Sequence, residues 1–145
     1  MLVGLGCLQQ CGSNTPPEYQ ELFRLPSHER EARFKAFPIE KQVDVFTHAM
    51  YVEPPLTEFR RYLASNGQKA IPFILARLEV EKSDTLKGHL IYVLKEIHGS
   101  HFSLKNEHAT IMSLERIISN ISDEYDKKRA EGYLKTIKNT SGFNQ

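Results

Sequence analysis

The chain has 145 residues, enough for one domain with a substantial core. Apolar residues make up 40% of it and charged residues 26%, a globular balance that excludes a disordered or low-complexity chain. Its 19 basic and 18 acidic residues leave a formal charge of +1 with no basic stripe able to neutralise a run of phosphates, so nucleic-acid binding is not expected. No run of about 18 apolar residues is present to cross a membrane as a helix.

The opening, MLVGLGCLQQCGSNTPPEY, starts apolar and small, meets Cys7 and Cys11, then turns polar and proline-containing. No later cysteine can pair with these two or complete a thiolate metal site, and their segment lacks core character, so no structural disulfide is expected. The segment resembles the end of a bacterial lipoprotein signal peptide, where a short apolar run meets a lipidated Cys followed by Gly, Ser and Asn. Gly6 suits Cys7, but Gly4 stands where Leu is usual; Leu8 suits Cys11, but Gln10 does not, and the charged n-region is missing. The resemblance implies lipidation at Cys7 or Cys11, a true start upstream of Met1, and residues 1–16 as a leader remnant and tether. The alternative is a cytosolic N-terminus with two incidental thiols.

From Pro17 the residues alternate helical punctuation with helical pattern. Pro16 and Pro17 open a first helix with Tyr19, Leu22 and Phe23 on its apolar side. Pro26 and Ser27 break it, with Ser27 expected to cap a charged helix buried through Phe34 and Phe37. Pro38 starts a helix carrying Ile39, Val43, Phe46 and Met50, which ends before Pro54 because the residue preceding a proline resists the α region. Leu56, Phe59 and Leu63 mark a fourth helix, stopped at Asn66-Gly67. Two apolar stripes follow: Ile71, Ile74, Leu75, Leu78, then Leu86, Leu90, Val93, Leu94, Ile97, broken at Ser83-Asp84 and ended by Gly99-Ser100. Ile111, Leu114, Ile118 and Ile121 give a seventh helix. Ser122-Asp123 starts an eighth with Ala130, Tyr133, Leu134 and Ile137. No segment alternates with period two, so no strand is expected. The helical domain is read as 17–138, with 139–145 a polar, frayed tail.

The central pair resembles a HEAT-like repeat. Ala70-Ile71-Pro72 opens its first helix, Leu75 and Leu78 follow, Ser83-Asp84 forms the turn, and Lys87, Val93-Leu94 and Ile97 mark the second helix. Gly88 and His89 depart from the pattern, where small aliphatic residues are commoner. One such pair cannot bury its face alone, so flanking helices must cover it. The resemblance implies a binding surface and no chemistry.

The candidate sites are few. His98 and His101, three apart at a helix end, are the nearest approach to a metal pair; a cation at the helix C-terminus explains His98 without metal, and none is expected. Glu79, Glu81, Asp123, Glu124 and Asp126 fall on solvated faces near helix ends, so no catalytic carboxylate pair is expected. Glu58 and Arg61 read as a surface pair one turn apart. Arg60, Arg61 and Tyr62 read as a candidate contact patch, because Arg and Tyr are typical interface anchors.

The expected fold is all-α: antiparallel helix pairs stacked as a short HEAT-like array, with an irregular helical bundle as the alternative. The expected function is a non-enzymatic protein-binding domain of the bacterial envelope, periplasmic or lipid-anchored, with an unknown protein partner and no cofactor. A toxin-neutralising immunity protein, a cytoplasmic helical scaffold and a His/Glu enzyme are the other readings.

Overall fold

The structure, a computed structural model, describes residues 14–143. Eight α-helices account for most of them: α1 (Pro17–Arg24), α2 (Ser27–Ala36), α3 (Ile39–Ala49), α4 (Glu58–Ala64), α5 (Ile71–Val80), α6 (Asp84–Ser100), α7 (His108–Ser119) and α8 (Glu124–Asn139), with a short 3-10 turn at Gly67–Ala70 before α5. No strand occurs among the described residues, and the fold is all-α.

Capping chemistry sets several boundaries. The Ser83 side chain accepts the Leu86 N–H and Asp123 accepts the Asp126 N–H, so these two side chains cap α6 and α8 at the breaks read in the sequence. Ser27 does not cap α2. Pro26 holds the N-cap position, and Ser27 is already the first helical residue with no capping bond. Pro38 likewise sits at the N-cap of α3 rather than inside its first turn. α6 ends at Gly99-Ser100 as expected, with the His101 and Phe102 N–H groups closing on the Ile97 carbonyl. Gly67 does reverse the chain after α4, at φ +60°, a conformation glycine adopts without steric cost.

The helices pack as antiparallel pairs stacked in chain order. In one layer α3 packs on α5 and α5 on α7; in the other, α2 packs on α4, α4 on α6 and α6 on α8. Side chains give the direction. Along α6 and α8, Thr85 donates to Asp126 (3.2 Å) near the starts, Tyr92 meets Tyr133 midway (5.3 Å between centroids), and His98 meets Thr140 (2.8 Å) at the ends. The two helices therefore run parallel, and α7 between them must return the chain. Arg77 of α5 ties the first layer by donating to Asp44 of α3 (3.1 Å), and Arg116 of α7 pairs with Glu79 of α5.

The core lies between the layers. The α6 stripe supplies Leu86, Leu90, Val93, Leu94 and Ile97, all buried, against Ile74 and Leu78 of α5 and Leu134 and Ile137 of α8. Toward the first helices an aromatic cluster takes over, with Phe59 edge-on to Phe34 (5.1 Å) and to Phe23 (5.5 Å). Gly88 is buried within α6, yet a Cβ built there meets nothing within 4 Å. Gly88→Ala therefore adds helix propensity without a clash and should raise stability by about 1 kcal/mol. Denaturant unfolding checks it; an unchanged or lower midpoint contradicts it.

Candidate cation–tyrosine face on the parallel helices

The candidate contact patch does not survive as three adjacent residues. Tyr62 is 1% exposed, packed on Phe59 (5.3 Å), and belongs to the core. Arg61 points outward beside Glu31 (4.0 Å). Glu58 pairs with Arg30 of α2 and not with Arg61, so the expected pair one turn apart does not form. Successive helical positions lie about 100° apart, and Arg60 faces a different way from both neighbours.

Arg60 reaches across to α6. Its Nη2 donates to His89 Nδ1 (2.9 Å), and its guanidinium carbon stands 4.6 Å from the Tyr92 ring centroid. Because arginine only donates, His89 Nδ1 is the acceptor and the neutral ring carries its proton on Nε2. Burial pushes His89 down to about 4, helped by the Arg60 and Arg129 charges. Arg60 Nε is buried and has no protein partner among the described residues, so stacking and the His89 bond hold the head.

Two further cations complete the face. Lys95 Nζ lies 5.0 Å from the Tyr92 centroid and 5.6 Å from that of Tyr133. Arg129 of α8 donates to the Tyr133 hydroxyl (3.0 Å) and stands 5.5 Å from the Tyr125 centroid. Ring quadrupoles attract cations in such positions and restrict where the long side chains go. Among the described residues no carboxylate lies within 4.0 Å of the charged nitrogens of Arg60, Lys95 or Arg129, whereas Arg30 and Arg116 each hold one and Arg77 holds two. Three cations on α4, α6 and α8 are thus held against aromatic rings without an ion pair among the described residues. Such a face can bind anions.

Burial is the main cause of the low His89 value and the Arg60 charge adds to it, so Arg60→Gln should raise the His89 titration above about 4 while leaving it below the ordinary value near 6.5. An imidazole proton NMR titration measures it. No movement would mean that burial alone sets the value.

The other sequence candidates fall outside this face. His98 is 1% exposed and neutral, not a solvated cation at a helix end. Its Nδ1 accepts the Leu104 N–H (3.0 Å) and its Nε2 donates to Thr140 Oγ1 (2.8 Å), leaving no ring nitrogen for a metal. His101 follows as the exposed C-cap of α6. Glu79 pairs with Arg116, Glu81 with Arg77, and Asp126 accepts from Thr85. Among the described residues no group of three or more His, Cys, Asp or Glu side chains could hold a metal ion. No helix there is long and apolar enough to cross a membrane. Cys7 and Cys11 lie outside the described residues. A groove of about 280 Å³ between α5 and the segment leading into α7 is lined mainly by Ile71, Pro72, Leu75, Phe102 and Leu104, with Glu107 at its edge.

Sequence reasoning singled out Arg60 and missed His89, Lys95 and Arg129, and it gave Tyr133 to the core. The signal was present: Tyr125, Arg129 and Tyr133 recur at i, i+4, i+8, and His89, Tyr92 and Lys95 share the polar side of α6. No family model matches the chain, and neither a curated protein nor a solved structure matches it.

Proposed function

We propose that this chain is a non-enzymatic protein-binding domain that docks a partner on the face formed by Arg60, His89, Tyr92, Lys95, Arg129 and Tyr133. The observation that carries the reading is the set of three ring-stacked cations without carboxylate partners. Arg and Tyr concentrate binding energy at interfaces, and side chains already held in place lose less entropy on docking. The HEAT-like resemblance of the central pair supports the same reading, since stacked helix pairs present extended binding surfaces. Affinity capture tests it. The parent domain should retain a discrete protein that an Arg60→Gln/Lys95→Gln/Arg129→Gln variant loses while its circular dichroism is unchanged. Retention by that variant, with loss in a Phe73→Ser/Met112→Ser variant on α5 and α7, would move the docking surface to the other layer.

A lipid anchor in the bacterial envelope belongs to this proposal on the strength of the leader resemblance at Cys7 and Cys11. Labelled palmitate incorporated from the native gene and lost in a Cys7→Ser/Cys11→Ser variant supports it. A label that persists in that variant contradicts it.

A further inference from the structure

We infer that the partner meets this face with a short acidic segment of polypeptide, whose carboxylates supply the counter-charges that Arg60, Lys95 and Arg129 lack. This rests on the protein-binding reading above and names the chemistry of the partner.

Charge complementarity carries the inference. Six other cations, Arg30, Lys35, Lys41, Arg61, Lys87 and Lys138, stand within 4.0 Å of a carboxylate of this chain, as do Arg77 of α5 and Arg116 of α7. Among the described residues Arg60, Lys95 and Arg129 do not, and unlike other unpaired cations such as Arg33 or Lys128 they are held against aromatic rings; Glu96 follows Lys95 directly but lies close enough to the Tyr92 hydroxyl to raise its pKa, after burial. An incoming carboxylate therefore breaks no internal ion pair when it binds. It also meets donors with capacity to spare. Arg60 gives Nη2 to His89 and Arg129 gives Nη2 to Tyr133, which leaves the Nη1 end of each fork for a bidentate or bridging contact.

The size of the cluster selects the source of the anion. Duplex or single-stranded nucleic acid is held by neutralising several phosphates along a stripe, and an anionic membrane by a group of about 4–8 basic residues. This chain carries a formal charge of +1 and gathers three cations here. Nor are the two central rings open to stacking bases, since Tyr92 carries Arg60 and Lys95 while Tyr133 carries Lys95 and Arg129; Tyr125, at the edge, is one ring and not a stacking platform. Three fixed cations spread over α4, α6 and α8 match two or three carboxylates on an extended peptide.

The test uses the whole domain and a fluorescent oligoglutamate peptide, with oligolysine, a single-stranded oligonucleotide and phosphatidylserine vesicles as alternatives. Oligoglutamate should bind, and the affinity should fall at least about tenfold when monovalent salt rises from about 50 to about 300 mM. Arg60→Gln, Lys95→Gln and Arg129→Gln should each weaken it about tenfold, and Lys95→Glu should abolish it. Arg33→Gln, an equal charge change on the exposed end of α2, should leave it unchanged. Lys95 and Arg129 lie at the surface of their helices, so their variants report binding even if Arg60→Gln loosens the α4–α6 contact. Equal weakening in Arg33→Gln, or preference for the oligonucleotide or the vesicles, overturns the inference. Failure here with partner capture still lost in the triple variant would leave the docking face standing and remove only the acidic segment.

Discussion

Leu94→Ala should cost about 2–5 kcal/mol. Leu94 has no exposed surface and lies on the α6 stripe, and α6 packs against α4, α5 and α8. Removing its branched end loses the transfer free energy of the deleted groups and leaves a void that rigid helices on three sides cannot fill. For a chain of this length each kcal/mol moves Tm by about 3 °C, so the midpoint should fall by about 6–15 °C. Leu75, on the same pair but half-buried, gives the comparison: its alanine variant should lose clearly less. A Leu94→Ala midpoint within about a degree of the parent would contradict the placement of α6 at the centre.

His98→Ala should cost about 2–4 kcal/mol for a different reason. The ring joins three segments: the end of α6, the loop at Leu104 and the tail after α8. Phe143 donates its N–H to the His98 carbonyl (2.7 Å), Ser103 donates to the Ser141 carbonyl (3.0 Å), and Thr140 passes its own hydroxyl proton to the Thr136 carbonyl (2.7 Å). Gly142 lies so close that a Cβ there would collide with the imidazole, so the tail through Phe143 is seated on this residue. Truncation leaves the buried Leu104 N–H without a partner, a loss of about 1–3 kcal/mol, and adds a cavity.

The same residue sets a pH dependence with a definite sign. Burial holds the folded His98 pKa below its ordinary value, with the Lys105 charge acting the same way. The unfolded chain therefore takes up a proton at a higher pH than the folded one. Stability from this group is complete above about 6.5 and is lost progressively as the pH falls through the folded value. His89 acts in the same direction over a window extending to about 4. Urea unfolding between about pH 7 and 5 should show stability falling with acidification, and the slope should be shallower in His98→Gln. A slope unchanged in His98→Gln would mean that His98 titrates alike in both states.

His98 also shows where local reading of the residues stops. Its place at the end of an apolar stripe suggested a cation facing the helix dipole, a preference that holds only while the ring reaches water. What buries it is the tail 42 positions later, folding back over α6. No window of a dozen residues contains that contact. The helix starts after Ser83 and Ser122-Asp123 were legible because they are local: the Ser83 and Asp123 side chains bond to N–H groups three residues on. Ser27 failed because Pro26 already occupied the N-cap position. For the candidate site, Arg60 was legible as a residue type, but its partners His89 and Tyr92 lie on the next pair of helices. Gly88 and His89 broke the repeat pattern at the point where the structure places the Arg60 contact. That departure was the nearest signal in the sequence to the face itself.

The most direct measurement of the docking claim is site-specific photo-crosslinking in the native cell. A benzophenone side chain at Tyr125, 70% exposed beside Arg129, should give a discrete protein adduct. The same group at Met112, 68% exposed on α7 in the other layer, should give none, and the Tyr125 adduct should vanish with Arg60→Gln/Lys95→Gln/Arg129→Gln. An adduct at Met112 with none at Tyr125, or one at Tyr125 that survives loss of all three cations, would contradict the assignment of this face.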